Sequence, residues 1–458
     1  MISIKNILTG MTCCLLLLAS GCTEEDLNLQ PISEVGDNGF YRNTAEVEGG
    51  VIAIYDGLQN VPLREFALTE MRSDNSQTRN SEGDWAEFED YRVQPTNTAL
   101  AQYWTANYNV IFRANRVLER LEAVTEADLR GQFEGEARFA RALAHFNLLR
   151  AFGDVPLITS VILPTDEDAF ARTDRETVLD AIIADFETAA GQLPAAGEIT
   201  FGRATTGAAS AMLGKALLTK GDFDAAETAL RRVIDSGNYG LQNDYNDVFY
   251  NEGNDEVIFA IRYLDDDANE GQDFSFEFTV GGRVAGLNYP TDDFRAGVEE
   301  ADTIRPLTYY APNAPEENGK FVTRSADGRL AGNDWIVIRY ADVLLMLSEA
   351  ILSGNDATGS LDAIRAYNQV RARAGLPTLA VDGSATLTKD ALLNERRYEL
   401  SFENHRFYDL VRFGRAQEVL SAFAAQNGNS FGATDLLLPI PQAEINVSQG
   451  RLSQNPGY

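Results

Sequence analysis

The stretch SAMLGKALLTKGDFDAAETALRRVID, residues 210–235, decides the fold. Leu213 and Leu217 recur at helical spacing in its first half, and Ala226 and Leu230 do the same in its second. Gly221-Asp222 between them supplies a turn. Gly214 and Ala226 are small where the two halves must face each other, which lets two antiparallel helices approach closely.

That spacing matches a tetratricopeptide unit of about 34 residues, with Asn238 standing where the repeat usually ends in Pro. Working outward, GEARFARALAHFNLLRAFGDVPLI from Gly135 places Phe139, Leu143, Phe146 and Leu149 on one stripe, stopped by Gly153, Asp154 and Pro156. Looser helix pairs are predicted around 97–120, 134–152 with 175–193, and 336–374, giving about four hairpins stacked as a short solenoid. Between 250 and 335 the texture changes. DEVIFAIRY alternates as a strand does, and a long run rich in Gly, Asp, Asn and Pro follows. A loop-rich insert of this length inside a helical protein usually has a function. The closing segment LLLPIPQAEINVSQGRLSQNPGY is punctuated by Pro and predicted to lie extended along the surface. The fold class is therefore mainly α: tetratricopeptide-like helical hairpins form a scaffold, and an irregular loop-rich insert contains short strands.

The chain has 458 residues, 44% of them hydrophobic, enough for one large domain or two closely packed ones. Net charge is −31, from 69 acidic against 38 basic residues, of which five are Lys. Such a surface repels phosphate backbones and excludes nucleic acid as a partner. It also disfavours adhesion to anionic lipid and polyanionic ligands, and it suits high salt, where screening removes self-repulsion. The three cysteines, Cys13, Cys14 and Cys22, all lie near the N-terminus, so the body of the chain has none for a disulfide, a thiolate metal site or a nucleophile.

Those cysteines sit in a leader. Lys5 precedes an apolar run through Met11–Leu18, followed by the small residues Ala19-Ser20-Gly21 and then Cys22. The apolar run is far short of the roughly 20 residues that span a bilayer. The segment resembles a bacterial lipobox, with residues 1–21 as signal peptide and Cys22 as the site of lipid attachment. Thr-Glu-Glu-Asp after Cys22 resembles the surface-export signal of Bacteroidetes lipoproteins, which implies an outer-membrane protein, lipid-anchored and facing outward.

RFARALAHFNLLRAFGDVPLI, IRYADVLLMLSEA, LDAIRAYNQVRARAGLP, ERRYELSFENHRFYDLVRFG and LLPIPQAEINVSQGRLSQNPGY, together with the opening CTEEDLNLQP, resemble the SusD/RagB family of Bacteroidetes outer-membrane lipoproteins. The runs stand in the family's order and cover nearly the whole mature chain. The resemblance implies a helical region at 22–240 with tetratricopeptide-like units and a C-terminal SusD/RagB region at 241–458, with the loop-rich insert at about 264–335. It implies no enzyme and no cofactor. What it does imply is a glycan-capturing, polysaccharide-utilisation lipoprotein, sitting as a lid on a TonB-dependent, SusC-type transporter and serving carbohydrate uptake. Peptide capture is the variant known within the family. A protein scaffold that binds no small ligand is the alternative from another class.

Sugars are held by flat aromatic faces and by polar groups that meet the hydroxyls, so exposed aromatics among polar loop residues are the candidates. EMRSDNSQTRNSEGDWAEFEDYRVQPTNT, residues 70–98, carries Trp85, Phe88 and Tyr91 beside Asp74, Asn75 and Arg79. The insert adds Asn288, Tyr289, Tyr309 and Tyr310. Trp335, directly before the 338–350 run, reads as structural, and Trp104, at helical spacing with Tyr108 and Phe112, reads as core. His145 and His405 sit in helix-packing runs with no marked nucleophile. Glu395, Glu399 and Glu403 could stand at the separation of about 5–9 Å that a glycosidase needs, but with Arg396, Arg406, Asp409 and Arg412 nearby they read as an ion-pair network. Asp265, Asp267 and Asn269 alternate like a calcium loop. Gly271 and Glu277 each fall one place late for an EF-hand, so a solvated acidic loop is expected there and a structural calcium is the lesser reading.

Overall fold

The computed structural model describes residues 40–80, 83–163, 165–282, 286–323 and 325–458. The leader and Cys22 lie outside them. The principal helices are α1 (Thr44–Leu58), α2 (Pro62–Leu68), α3 (Gly83–Glu89), α4 (Thr98–Glu119), α5 (Ala127–Phe152), α6 (Arg175–Gln192), α7 (Thr206–Lys220), α8 (Phe223–Asp235), α9 (Tyr340–Leu352), α10 (Leu361–Arg373), α11 (Lys389–Glu399), α12 (Arg406–Arg412) and α13 (Ala416–Gln426). Short strands interrupt them: β1 (Ser76–Gln77), β2 (Val257–Ile261), β3 (Tyr289–Pro290), β4 (Tyr310–Ala311), β5 (Ala314–Asn318), β6 (Trp335–Arg339), β7 (Ala357–Thr358) and β8 (Leu387–Thr388). They pair antiparallel as β1–β3, β2–β6, β4–β5 and β7–β8.

Residues 210–235 form the predicted hairpin. Helix α7 ends at Gly221, whose φ of +86° is the left-handed conformation that a side chain resists, and Asp222 then caps α8 by accepting from the Ala225 amide at 3.3 Å. A Cβ on Gly214 would sit 2.6 Å from a methyl of Leu230, which is itself fully buried. Gly214→Val is therefore expected to cost about 1–3 kcal/mol, read as a lower midpoint in chemical denaturation.

Packing runs on through the chain. Helix α1 lies on α4, α4 on α5, α5 on α6, α6 on α7, α7 on α8, α8 on α9 and α9 on α10, which makes the stacked hairpins a continuous scaffold. Trp104 is core, with Phe152 edge-on at 4.9 Å. Trp335 is structural, stacked on Phe321 at 4.5 Å.

Two expectations need correction. The 336–374 pair does not begin as helix: Trp335–Arg339 is strand β6, paired with β2, and α9 starts only at Tyr340. The closing segment is not simply extended on the surface. It contains the helical turn Gln442–Val447 and buries Leu438, Ile440 and Leu452, because its backbone has partners on the scaffold. Leu438 N–H donates to Ala151 at 2.8 Å, and the Asn455 amide donates to Phe152 at 2.9 Å and to Leu438 at 2.7 Å.

Candidate functional site

The two candidate stretches, about two hundred residues apart in sequence, meet in space. Ser76 lies opposite Pro290 and Gln77 opposite Tyr289 in the β1–β3 ladder. The Ser76 hydroxyl donates to Asn288 Oδ1 at 2.7 Å, and the Arg79 amide donates to the Gly286 carbonyl at 3.1 Å. Thr291 closes the seam, its hydroxyl donating to Asp74 O at 2.7 Å and its amide to Asn75 O at 2.9 Å.

Asp74 is the foundation of this seam. Arg406 donates two bonds to its carboxylate, at 2.7 and 2.9 Å, and Arg397 approaches at 3.1 Å. Burial would push that carboxyl up, but the two guanidinium groups overcome the effect and hold it well below the usual carboxylate range. Asn75 accepts from Arg397 Nε at 2.8 Å and donates to Glu70 at 3.0 Å. Burial pushes Glu70 up to about 7. Beyond β1, Thr78 is pinned to Glu89 through its amide at 2.8 Å and its hydroxyl at 2.7 Å, which fixes where the following loop returns.

This architecture divides the predicted ligand residues. Asp74, Asn75, Phe88, Tyr91, Asn288, Tyr289 and Tyr309 are buried and form the wall behind the seam, not the ligand-facing surface expected of them. Several of their side chains are already committed, although the Tyr91 hydroxyl and Asn288 Nδ2 are buried with no hydrogen-bond partner among the described residues. The Tyr289 hydroxyl donates to Glu317 at 3.0 Å, the Tyr309 hydroxyl to Tyr398 O, and Tyr91 packs edge-on against Phe431 at 4.9 Å. Arg79 is exposed, and Trp85 and Tyr310 are half-buried. Trp85 stacks one face on Phe66, 5.6 Å away and 13° from parallel, and Phe66 meets Phe278 of the insert at 5.0 Å. The Tyr310 ring lies 4.8 Å from the Arg295 guanidinium, which donates to the Pro315 and Glu316 carbonyls at 2.7 and 2.9 Å. Along the two loops Arg79, Trp85, Tyr310 and Arg295 thus keep exposed surface, and together they make up the loop rim.

Arg295, Arg397, Thr291 and Glu317 were missed from the sequence, and Arg406 was legible only as a member of an ion-pair network. Charges interleaved with the apolar Tyr398, Leu400, Phe402 and Phe407 in ERRYELSFENHRF were the one available signal, since buried cations need partners elsewhere. Glu395, Glu399 and Glu403 are buried in an ion-pair network. His145 is pushed down to about 4 and His405 to about 3, in both cases chiefly by burial. Asp265 accepts from the Gly332 amide, and Asp267 from the amides of Asn269 and Glu270, so loop hydrogen bonds occupy these carboxylates. Among the described residues no group of three or more His, Cys, Asp or Glu side chains is placed to hold a metal ion.

A stack of helical hairpins interrupted by short two-stranded sheets defines a helical-repeat protein. The SusD family profile matches residues 300–458, and a profile described as "Starch-binding associating with outer membrane" matches 39–218. The chain belongs to the SusD/RagB family. SusD-like protein P2 of Formosa agariphila is 27% identical over 97% of this chain and 98% of its own length. A SusD-like protein of Bacteroides ovatus is 23% identical over 87% of this chain and 81% of its own. Among solved structures, a laminarin-binding SusD-like protein superposes with a TM-score of 0.75 at 26% identity, over 91% of this chain and all of that one. Surface glycan-binding protein A from Bacteroides thetaiotaomicron, in complex with laminarihexaose, shares the fold with a TM-score of 0.77 at 21% identity, over 90% of this chain and 99% of that one. Among the described residues no helix is long and apolar enough to cross a membrane.

Proposed function

We propose that this protein captures oligosaccharide at the cell surface and passes it to a SusC-type TonB-dependent transporter docked along the helical scaffold. Lipid on Cys22 would hold it to the outer membrane, facing outward. The observations that carry this reading are the β1–β3 seam, which joins the two candidate loops, and the surface that Arg79, Trp85 and Tyr310 keep open along those loops. A scaffold that binds only protein has no need of such a rim. Ring faces cover the apolar patches of a sugar while guanidinium groups meet its hydroxyls, so the chemistry of the rim fits a glycan.

The similar laminarin-binding structure makes laminarin and its oligosaccharides the first ligands to try. In calorimetric titration of the mature protein with laminarihexaose, Trp85→Ala is expected to weaken binding by about tenfold or more, equivalent to about 1.4 kcal/mol. Wild-type binding that Trp85→Ala and Tyr310→Ala both leave unchanged would remove the rim from the function. Failure of a panel of neutral and acidic glycans to bind would turn the search to peptides.

A further inference from the structure

Away from the rim, a cavity of about 530 Å³ opens where the ends of α5, α7 and α9 meet the beginnings of α6, α8 and α11 and the side of α12. Lys389, on its wall, begins α11, and Arg397 of the β1–β3 seam lies eight residues on, about 12 Å along the helix axis. The two places are thus at opposite ends of α11. Three helices start at this cavity and three end there, so their dipoles largely cancel and the local field comes from side chains.

Those side chains are unusual for a chain of net charge −31. The lining holds Arg150, Arg175, Lys215, Lys220, Lys389 and Arg412, against Glu349 alone. Four of the cations are already matched: Lys215 with Asp342 at 2.7 Å, Lys220 with Asp180 at 2.6 Å, Arg175 with Glu176 at 2.8 Å and Arg412 with Glu349 at 2.5 Å. The remaining two are not. Among the described residues neither Arg150 nor Lys389 forms an ion pair, although both are half-buried. Arg150 is also held in place. Its guanidinium lies 4.4 Å from both the Phe146 and Tyr408 rings and donates only to neutral oxygens, Asn147 Oδ1 at 2.7 Å and Phe146 O at 3.4 Å. Glu65 is the buried carboxyl that feels its charge, and burial pushes that group up. The Tyr408 hydroxyl is buried with no hydrogen-bond partner among the described residues.

A guanidinium clamped between two rings has lost its rotamer freedom before any ligand arrives, and its planar fork matches a carboxylate or sulfate. The cavity has the size of a small-molecule site, with mostly apolar walls and a few placed polar groups. We propose that it binds a small organic anion, a carboxylate- or sulfate-bearing sugar of one or two rings, with Arg150 as the fork and Lys389 as the second cation. This site would work independently of the rim and would let the protein take acidic sugars despite its overall charge.

The test is calorimetric titration of the full mature protein with glucuronate and with galactose 4-sulfate, using glucose and sodium sulfate as controls. At least one sugar anion should bind saturably, and Arg150→Gln and Lys389→Gln should each weaken it by about tenfold or more. Lys389→Arg should restore binding, and Trp85→Ala should leave it untouched. The relative affinity of the two anions identifies the preferred acidic group. The proposal is overturned by no saturable binding of either sugar anion up to about 10 mM, by equal affinity for inorganic sulfate, or by binding that both glutamine variants leave intact. Should Arg150→Gln fail to fold, the Lys389→Gln and Lys389→Arg pair, on the cavity's rim, still decides the matter.

Discussion

Arg339→Met lowers stability by about 3–5 kcal/mol, the cost of breaking a buried ion pair from one side. Arg339 is wholly buried at the end of β6, and it donates to Glu256 at 2.7 Å, Glu399 at 2.6 Å and Glu403 at 2.7 Å. The same core holds Arg305 on Asp302 and Glu395, Arg371 on Glu395, Arg373 on Glu256 and Glu399, and Lys320 on Glu403. Arg305, Lys320, Arg339, Arg371 and Arg373 thus balance Glu256, Asp302, Glu395, Glu399 and Glu403 within the interior. Removing one cation leaves the carboxylates in excess, with no water to solvate them. The size of the effect therefore reflects an uncompensated charge, not the net worth of the pair.

The pH dependence gives a second readout. Burial alone would raise Glu399, but Arg373, Arg339 and Arg305 hold it down at about 2, and Arg396 and Arg412 hold Asp409 at about 2 in the same way. A carboxyl that ionises lower when folded than unfolded contributes stability above its unfolded pKa of about 4, and that stability is lost as pH falls through the folded value. Wild-type stability should therefore fall between about pH 4 and pH 2. With Arg339 gone, Glu399 protonates at higher pH and the acid transition moves up. Circular dichroism across an acid titration of both proteins measures the shift. An unmoved transition would mean that Arg339 does not hold these carboxylates ionised.

What the sequence revealed and what it hid differ by the range of the interaction. Hairpin 210–235 was legible because its close contact, Gly214 against Leu230, lies within one repeat. Strand β2 was legible from its alternation. Strand β6 was not, because WIVIR runs straight into an apolar helix and the two periods merge, while its partner strand lies over seventy residues upstream. The candidate site shows the same limit. Its two segments were legible as polar loops bearing aromatics, but which side chains face outward was not. Tyr309 and Tyr310 are neighbours, yet one is sealed against Tyr398 and the other lies beneath Arg295 at the surface. No local pattern separates them. A polar loop residue is expected to be exposed unless a partner buries it, and the partners of Asp74 lie more than three hundred residues away.

That last relationship yields the other large effect. Asp74→Ala leaves Arg406 and Arg397 without the carboxylate they surround, and it should cost about 3–5 kcal/mol, whereas Trp85→Ala should lower stability far less. Were Asp74 a ligand contact alone, its removal would weaken glycan binding and spare the fold. Its burial predicts the opposite ranking. The Thr291–Asp74 and Thr291–Asn75 bonds tie the same segment to β3, so loosening Asp74 should also open the seam that positions Tyr289 and the insert. Asp74→Asn separates charge from shape, since it keeps an acceptor for Arg406 but removes the charge that offsets the buried Arg406 and half-buried Arg397, the latter left with Asp293 as its carboxylate partner among the described residues. It should recover only part of the loss. Denaturation of the three variants, run beside glycan titration of each, checks the order. A stable Asp74→Ala protein that has lost glycan binding would return Asp74 to the ligand-facing rim.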